Sequence, residues 1–230
     1  MNAPFPVVFA LYPHITQLDF TGPLEVLARL PGAHCVLASM AGGELKASGG
    51  VTFARLERLA EVADCQLLCV PGGFGAAEAM LDQAYLGQLR RLAGQSRYVT
   101  SVCTGSLLLG AAGLLEGKRA ACHWAFRELL ALFGAIPDAA RVVRDGRTFS
   151  GGGVTAGIDM ALTVVAEIAG SEYAQELQLA LEYAPEPPFD CGRPELAVRA
   201  VRESVRQRFD SVWPTRRAAA ERAAAALPTH

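Results

Sequence analysis

The chain is poor in charge and in aromatic side chains: 19% Asp, Glu, Lys and Arg, and 7% Phe, Trp and Tyr, in 230 residues. Acids and bases nearly cancel, leaving a formal net charge of −2. No overall field therefore argues for nucleic acid or an anionic membrane surface as a partner. No apolar run approaches the roughly 20 residues of a membrane span. Met1-Asn-Ala-Pro-Phe-Pro6 lacks the basic and then apolar segments of a secretory leader. The expectation is a cytoplasmic protein. Six cysteines are too few for a disulfide scaffold, and none forms a CxxC pair. Cys65 and Cys69 are four apart, but Cys69 falls in a predicted buried strand, so no zinc site is expected. Neither GxGxxG nor GxxxxGK[ST] occurs, and no repeat or low-complexity linker is evident. Apolar residues are abundant: 51% of the chain, enough for one large domain with a sizeable core.

One stretch organises the rest, Arg97 to Gly117. Tyr98 to Val102 is short and apolar, suiting a strand buried on both faces. From Thr104, Leu107, Leu108, Leu109, Leu114 and Leu115 stand among small residues, suiting a helix packed closely on a sheet. Cys103 is at the join, with small residues two positions away on either side, Ser101 and Gly105, as a sharp strand-to-helix turn requires. There the thiol would face free helix N–H groups, which favour thiolate. The plainer alternative is a buried structural cysteine.

Pro6–Leu11 reads as a first strand and Tyr12–Gly22 as a loop, with Pro23 in the first helical position and Glu25 in the first turn. Asp19 lies in that loop between Leu18 and Phe20, either as a cap or as a functional acid. His34–Ser39 is a second strand, followed by a short hairpin region and a weak helix over 56–63. Cys65–Val70 is a third strand, ending in Pro71-Gly72-Gly73-Phe74-Gly75. Such a turn brings backbone N–H groups close to a ligand, making Gly72 and Gly73 oxyanion-hole candidates. Ala76–Gly94 is helical with a break near Asp82. Arg119–Trp124 is a short strand, with a helix to Leu132 after it, and His123 near its end is either a core histidine or a partner of Cys103. Asp145-Gly146 turns a hairpin, and Gly151-Gly152-Gly153-Val154-Thr155 opens a helix from Ala156, followed by another over Ser171–Leu181.

Alternating strands and helices predict a doubly wound, mainly parallel α/β sheet, with ligands at the carboxyl ends of its strands. Asp19, Gly72, Gly73, Cys103, His123 and Gly151–Gly153 all fall at or after such ends. The domain is expected to run over 1–188, with 189–230 a helical extension rather than a domain of its own. From Cys191 onward this tail carries eight arginines and four acids. That mixture reads as solvated or dimer-packing helices rather than a nucleic-acid arm.

The Cys103 elbow, the Pro71-Gly-Gly73 turn, His123 and the Gly151-Gly-Gly153 helix start resemble the PfpI branch of the class I glutamine-amidotransferase-like superfamily, with its flavodoxin-like fold. Gln17–Pro23, Arg97–Ser106, Gly151–Asp159 and Leu181–Pro185 are most similar to its isocyanide-hydrating members. The protease members have a histidine immediately after the nucleophile, where this chain has Thr104. Many relatives carry a glutamate where it has the shorter Asp19. The resemblance implies hydration of a small-molecule isocyanide, R–N≡C, to an N-substituted formamide by a homodimer, with no metal and no organic cofactor.

In that scheme Cys103 is the nucleophile that forms a thioimidate, and Asp19 is the proton donor. Thr104 orders water or thiol, and the Gly73 and Thr104 amides face developing charge. His123, Gly152, Gly153 and Val154 are candidate supporting residues, and Phe20, Phe74, Trp124 and Val154 would line the pocket. Three alternatives stay open. They are a small-amide hydrolase or protease with a Cys103–His123 pair, a non-catalytic ligand-sensing domain like those of some AraC-type regulators, and a thiol redox sensor.

Overall fold

The computed structural model describes residues 4–228; residues 1–3, which open the stretch read for a leader, and 229–230 lie outside it. The chain begins with β1 (Phe5–Leu11), α1 (Leu18–Leu27) and β2 (Ala33–Ser39). A hairpin of β3 (Gly43–Lys46) and β4 (Thr52–Arg58) leads to β5 (Leu67–Val70), whose four residues are all buried. Next come α2 (Ala76–Leu81), α3 (Gln83–Gln95), β6 (Tyr98–Val102) and α4 (Gly105–Ala111). Asp82 makes the break between α2 and α3. Its carboxylate accepts from the Ala84 and Tyr85 amides at 3.0 Å each, a cap worth about 1 kcal/mol. Beyond it α3 buries Tyr85, Leu86, Leu89, Leu92 and Ala93 along one stripe.

The second half runs through β7 (Arg119–Ala121), β8 (Ile136–Asp138), β9 (Val142–Asp145), β10 (Thr148–Gly151), α5 (Ala156–Ala169) and α6 (Ser171–Ala180), then α7 (Arg199–Phe209) and α8 (Trp213–Ala225). The main sheet has the order β3-β4-β2-β1-β5-β6-β10-β9. Its inner six strands pair in parallel, and β3 and β9 close the two edges antiparallel. α1, α5 and α6 pack as one layer, and α2, α3, α4 and α8 as another. This is the doubly wound, flavodoxin-like α/β architecture expected. It leaves the carboxyl ends of β1, β5, β6 and β10 at one rim.

Several elements differ from the sequence reading. α1 starts at Leu18, so Asp19 stands in its first turn and Pro23 in its interior. Packing holds Pro23 there: a Cβ on Gly157 of α5 would come within 2.9 Å of its Cγ. Residues 56–63 hold the end of β4 and a single 3-10 turn, Leu59–Glu61, because β4 pairs with both β3 and β2. α4 stops at Ala111, and Gly113 takes φ 74° just beyond it. The helix expected from Trp124 is a 3-10 segment, Arg127–Phe133. β7 leaves the main sheet and pairs with β8 instead.

Candidate active site

Cys103 occupies the turn between β6 and α4 with φ 58°, a left-handed conformation that costs a non-glycine residue about 1–3 kcal/mol. The surroundings compel it. Its N–H donates to the Gly151 carbonyl at 2.9 Å, and a Cβ on Gly105 would collide with the Val70 carbonyl oxygen. The strained turn raises the thiol at the sheet rim, where it is 6% exposed.

Asp19 is fully buried and meets the thiol from α1. Its Oδ2 accepts from the Gly72 amide at 2.9 Å, while Oδ1 has no hydrogen-bond partner among the described residues. Burial raises its pKa to about 7, against the opposing pulls of the Gly72 N–H and the Cys103 thiol. A carboxyl that titrates near neutrality can both take and give a proton.

The thiol is also pushed up, first by burial and then by Asp19 and Cys122; the Thr104 N–H and the Arg216 guanidinium pull the other way. The expectation that the helix start would favour thiolate is thus reversed. Desolvation outweighs the one facing amide, and the resting sulfur keeps its proton next to Asp19.

The glycine turn is tied to this pair. Thr104 Oγ1 accepts from the Gly73 amide at 3.0 Å, and the Tyr12 hydroxyl donates to the Pro71 carbonyl at 3.1 Å. A Cβ on Gly72 would lie 2.5 Å from the Thr104 nitrogen and 2.9 Å from Asp19 Oδ2, so no larger residue fits there. Gly72 and Gly73 were expected to offer their amides to a developing anion. Both amides are instead engaged, one holding the acid and the other the Thr104 hydroxyl. The amide aimed at the sulfur belongs to Thr104.

A chain of buried serines anchors β7 to the rim. Ser106 Oγ lies 2.9 Å from Ser101 Oγ and donates to the Ala121 carbonyl at 2.6 Å, while the Ala121 amide donates to Ser150 Oγ at 2.8 Å. This fixes Cys122 and His123 beside the elbow. His123 lies among Trp124, Phe126 and Phe209, and its Nδ1 accepts from the Ala125 amide at 3.3 Å. Burial, then Arg216, lowers its pKa to about 4, so it is neutral and a weak base at physiological pH.

A cavity of about 240 Å³ opens on the thiol, lined by Thr16, Ser48, Gly73, Phe74, Cys103, Thr104, His123, Phe126, Val154, Phe209 and Arg216. A larger one, about 720 Å³, lies beyond Tyr12 and His14 and contains no cysteine. Of the expected pocket residues, Phe74 and Val154 line the cavity. Phe20 is buried against Phe9 and Phe53, and Trp124 faces neighbouring clefts. Gly152 and Gly153 border an adjacent cleft with His123 and Val154.

Sequence reasoning missed five walls, Thr16, Ser48, Phe126, Phe209 and Arg216. For Arg216 a signal was present: Ala219, Ala220 and Ala223 follow it at spacings of three, four and seven, marking one buried stripe of α8.

The profile of the DJ-1/PfpI family matches residues 6–167. An isonitrile hydratase of Pseudomonas putida is 50% identical over 222 residues, covering 95% of this chain and 96% of that one. A crystal structure of a ThiJ/PfpI family protein from Pseudomonas syringae superposes with TM-score 0.91 at 36% identity, covering 95% and 91% of the two chains. Drosophila melanogaster DJ-1beta superposes with TM-score 0.70 at 25% identity, over 79% of this chain and all of that one.

Proposed function

This chain belongs to the DJ-1/PfpI family, and on that premise we propose that it is an isocyanide hydratase, adding water to R–N≡C to give an N-substituted formamide. The observation that carries the reading is the buried Asp19 carboxyl, at a pKa of about 7, beside the protonated Cys103 thiol. Identity of 50% to an isonitrile hydratase over nearly the whole chain supports it. The 240 Å³ cavity suits a small substrate, and Phe74, Phe126, Val154 and Phe209 suit an apolar R group.

The chemistry follows from the proton inventory. Asp19, as carboxylate, takes the Cys103 proton while sulfur attacks the terminal isocyanide carbon. The same proton passes from Asp19 to that carbon, leaving a thioimidate, R–N=CH–S–Cys103. Asp19 then accepts a proton from water as the hydroxyl adds to the carbon, and passes it to the nitrogen, returning to carboxylate. The C–S bond breaks as the new hydroxyl gives up its proton to the departing sulfur, releasing R–NH–CHO and the thiol. The Thr104 N–H faces the sulfur throughout, and its hydroxyl fixes the Gly73 turn. No leaving group departs in the first half, so no residue is needed to protonate one. A neutral, weakly basic His123 fits this scheme better than a Cys103–His123 hydrolase pair.

The same reading makes 189–230 an extension of the 1–188 domain, working in the cytoplasm as a homodimer. Supporting the dimer, Leu179, Phe189, Leu196 and Val198 are each more than half exposed along one stretch of chain. Sedimentation of the full chain tests that part.

The activity is tested by following formamide from para-nitrophenyl isocyanide with wild type, Cys103→Ala and Asp19→Asn. Turnover by wild type and loss in both variants is expected. No turnover by folded, reduced wild type across several isocyanides sinks the reading.

A further inference from the structure

The extension reaches the active site through two side chains, the Phe209 ring and Arg216, of which only Arg216 carries charge. Arg216, in the first turns of α8, is 5% exposed in a helix whose other arginines, Arg217 and Arg222, are on the surface. Its Nη2 donates to the Gly73 carbonyl at 2.9 Å and to the Phe74 carbonyl at 3.4 Å. Its guanidinium carbon lies 4.2 Å from the centre of the Phe126 ring, a cation–π arrangement. It lines the cavity together with Cys103 and Thr104. Among the described residues no carboxylate is paired with it, and its Nε has no hydrogen-bond partner. By contrast, exposed Arg217 and Arg199 of the same tail each bind a glutamate one turn away.

A buried cation without a counter-ion is costly, and it persists where the rest of the structure holds it in place. The groups facing it come from every neighbouring element. Tyr12 lies at the end of β1, exposed Glu78 on α2, Cys103 at the elbow, and Cys122 and His123 follow β7. Asp19 of α1 stands beside Cys103. Tyr12 and Cys122 are neutral because burial pushes both up. The site interior thus holds one fixed cation and no fixed anion.

We propose that Arg216 is the electrostatic partner of Cys103. It clamps the Gly73–Phe74 carbonyls and supplies the charge against which negative charge develops on the sulfur. The C-terminal extension thereby completes the active site. Arg216 is a positioning residue, acting through Cys103. The inference deepens the reading of Cys103 as nucleophile, but it does not depend on which substrate is hydrated.

The test is the rate at which iodoacetamide labels Cys103 in the full chain, followed on its peptide by mass spectrometry across a pH series. Wild type, Arg216→Gln, Arg216→Met and Arg216→Lys are compared, each checked for folding by circular dichroism. The neutral variants are expected to label about tenfold more slowly near neutral pH, with the profile displaced upward by about one pH unit, the displacement that corresponds to a tenfold loss of thiolate. Arg216→Lys should stay within about threefold of wild type, because the charge is kept. A folded Gln or Met variant with the wild-type rate and profile overturns the proposal. So does a Lys variant as slow as Gln, which would make the role one of shape. Labelling is independent of isocyanide turnover, so a failure of the hydratase reading would not be mistaken for a failure of this one.

Discussion

Asp19→Asn should make the protein more stable and less active, with both changes depending on pH. Asp19 titrates near 3.8 when unfolded and near 7 when folded, so the native state binds its proton more tightly. Its contribution to stability is complete below about pH 4 and is lost as pH rises through 7. Each tenfold gain in proton affinity corresponds to about 1.4 kcal/mol, so a gain of roughly a thousandfold gives about 4 kcal/mol across that window. Asparagine does not titrate. Its carbonyl can still accept from the Gly72 amide, and its NH₂ would lie where Oδ1 has no partner. The stability difference between variant and wild type should therefore be near zero at about pH 4 and reach about 4 kcal/mol in favour of Asn at about pH 8.5. Urea unfolding of both proteins under reducing conditions across this range measures it. The same variant should lose about 10²–10⁴-fold in turnover. If the difference between the two proteins stays flat within about 1 kcal/mol from pH 4 to 8.5, the proton balance assigned to Asp19 is wrong.

The remaining predictions concern the groups around that pair. Gly72→Ala places a methyl 2.5 Å from the Thr104 nitrogen and 2.9 Å from Asp19 Oδ2. It should cost about 1–3 kcal/mol in chemical denaturation and depress kcat far more than it changes KM. Thr104→Val removes the acceptor of the buried Gly73 amide and should cost about 1–3 kcal/mol; Thr104→Ser, which keeps the oxygen, should recover most of it. Phe209→Ala removes an aromatic wall that packs on His123 and Phe126. Turnover of bulkier isocyanides should rise relative to small ones, read as a ratio of kcat/KM values.

The parts readable in advance were those that local pattern determines. Leu67–Val70 is a continuous apolar run and Tyr98–Val102 is interrupted only by the small hydroxyl residues Thr100 and Ser101; every residue in both is buried in the parallel sheet. Cys103 stood out because Ser101 and Gly105 leave room for a sharp turn. Asp19 stood out as an acid between two large apolar residues. The start of α1 was hidden because Gln17 makes no side-chain cap and Pro23 imitates a helix start. Residues 52–58 read partly as helix because Arg, Leu and Glu carry no strand preference; partners on both sides impose the strand. The engagement of the Gly72 and Gly73 amides depends on Asp19 and Thr104, which are distant in sequence. Arg216 was hidden for a related reason. In an alanine-rich helix its partners are backbone carbonyls 142 and 143 residues away, and only packing identifies the buried face.

In the proposed mechanism the Cys103 thiol adds across the isocyanide carbon without losing any part of the substrate. Rapid acid quenching during turnover, followed by mass spectrometry of the Cys103 peptide, tests it directly. A transient increase equal to the whole mass of the isocyanide is expected, absent in Cys103→Ala. Formamide production while the Cys103 peptide stays unmodified, or an adduct lighter than the substrate, would contradict it.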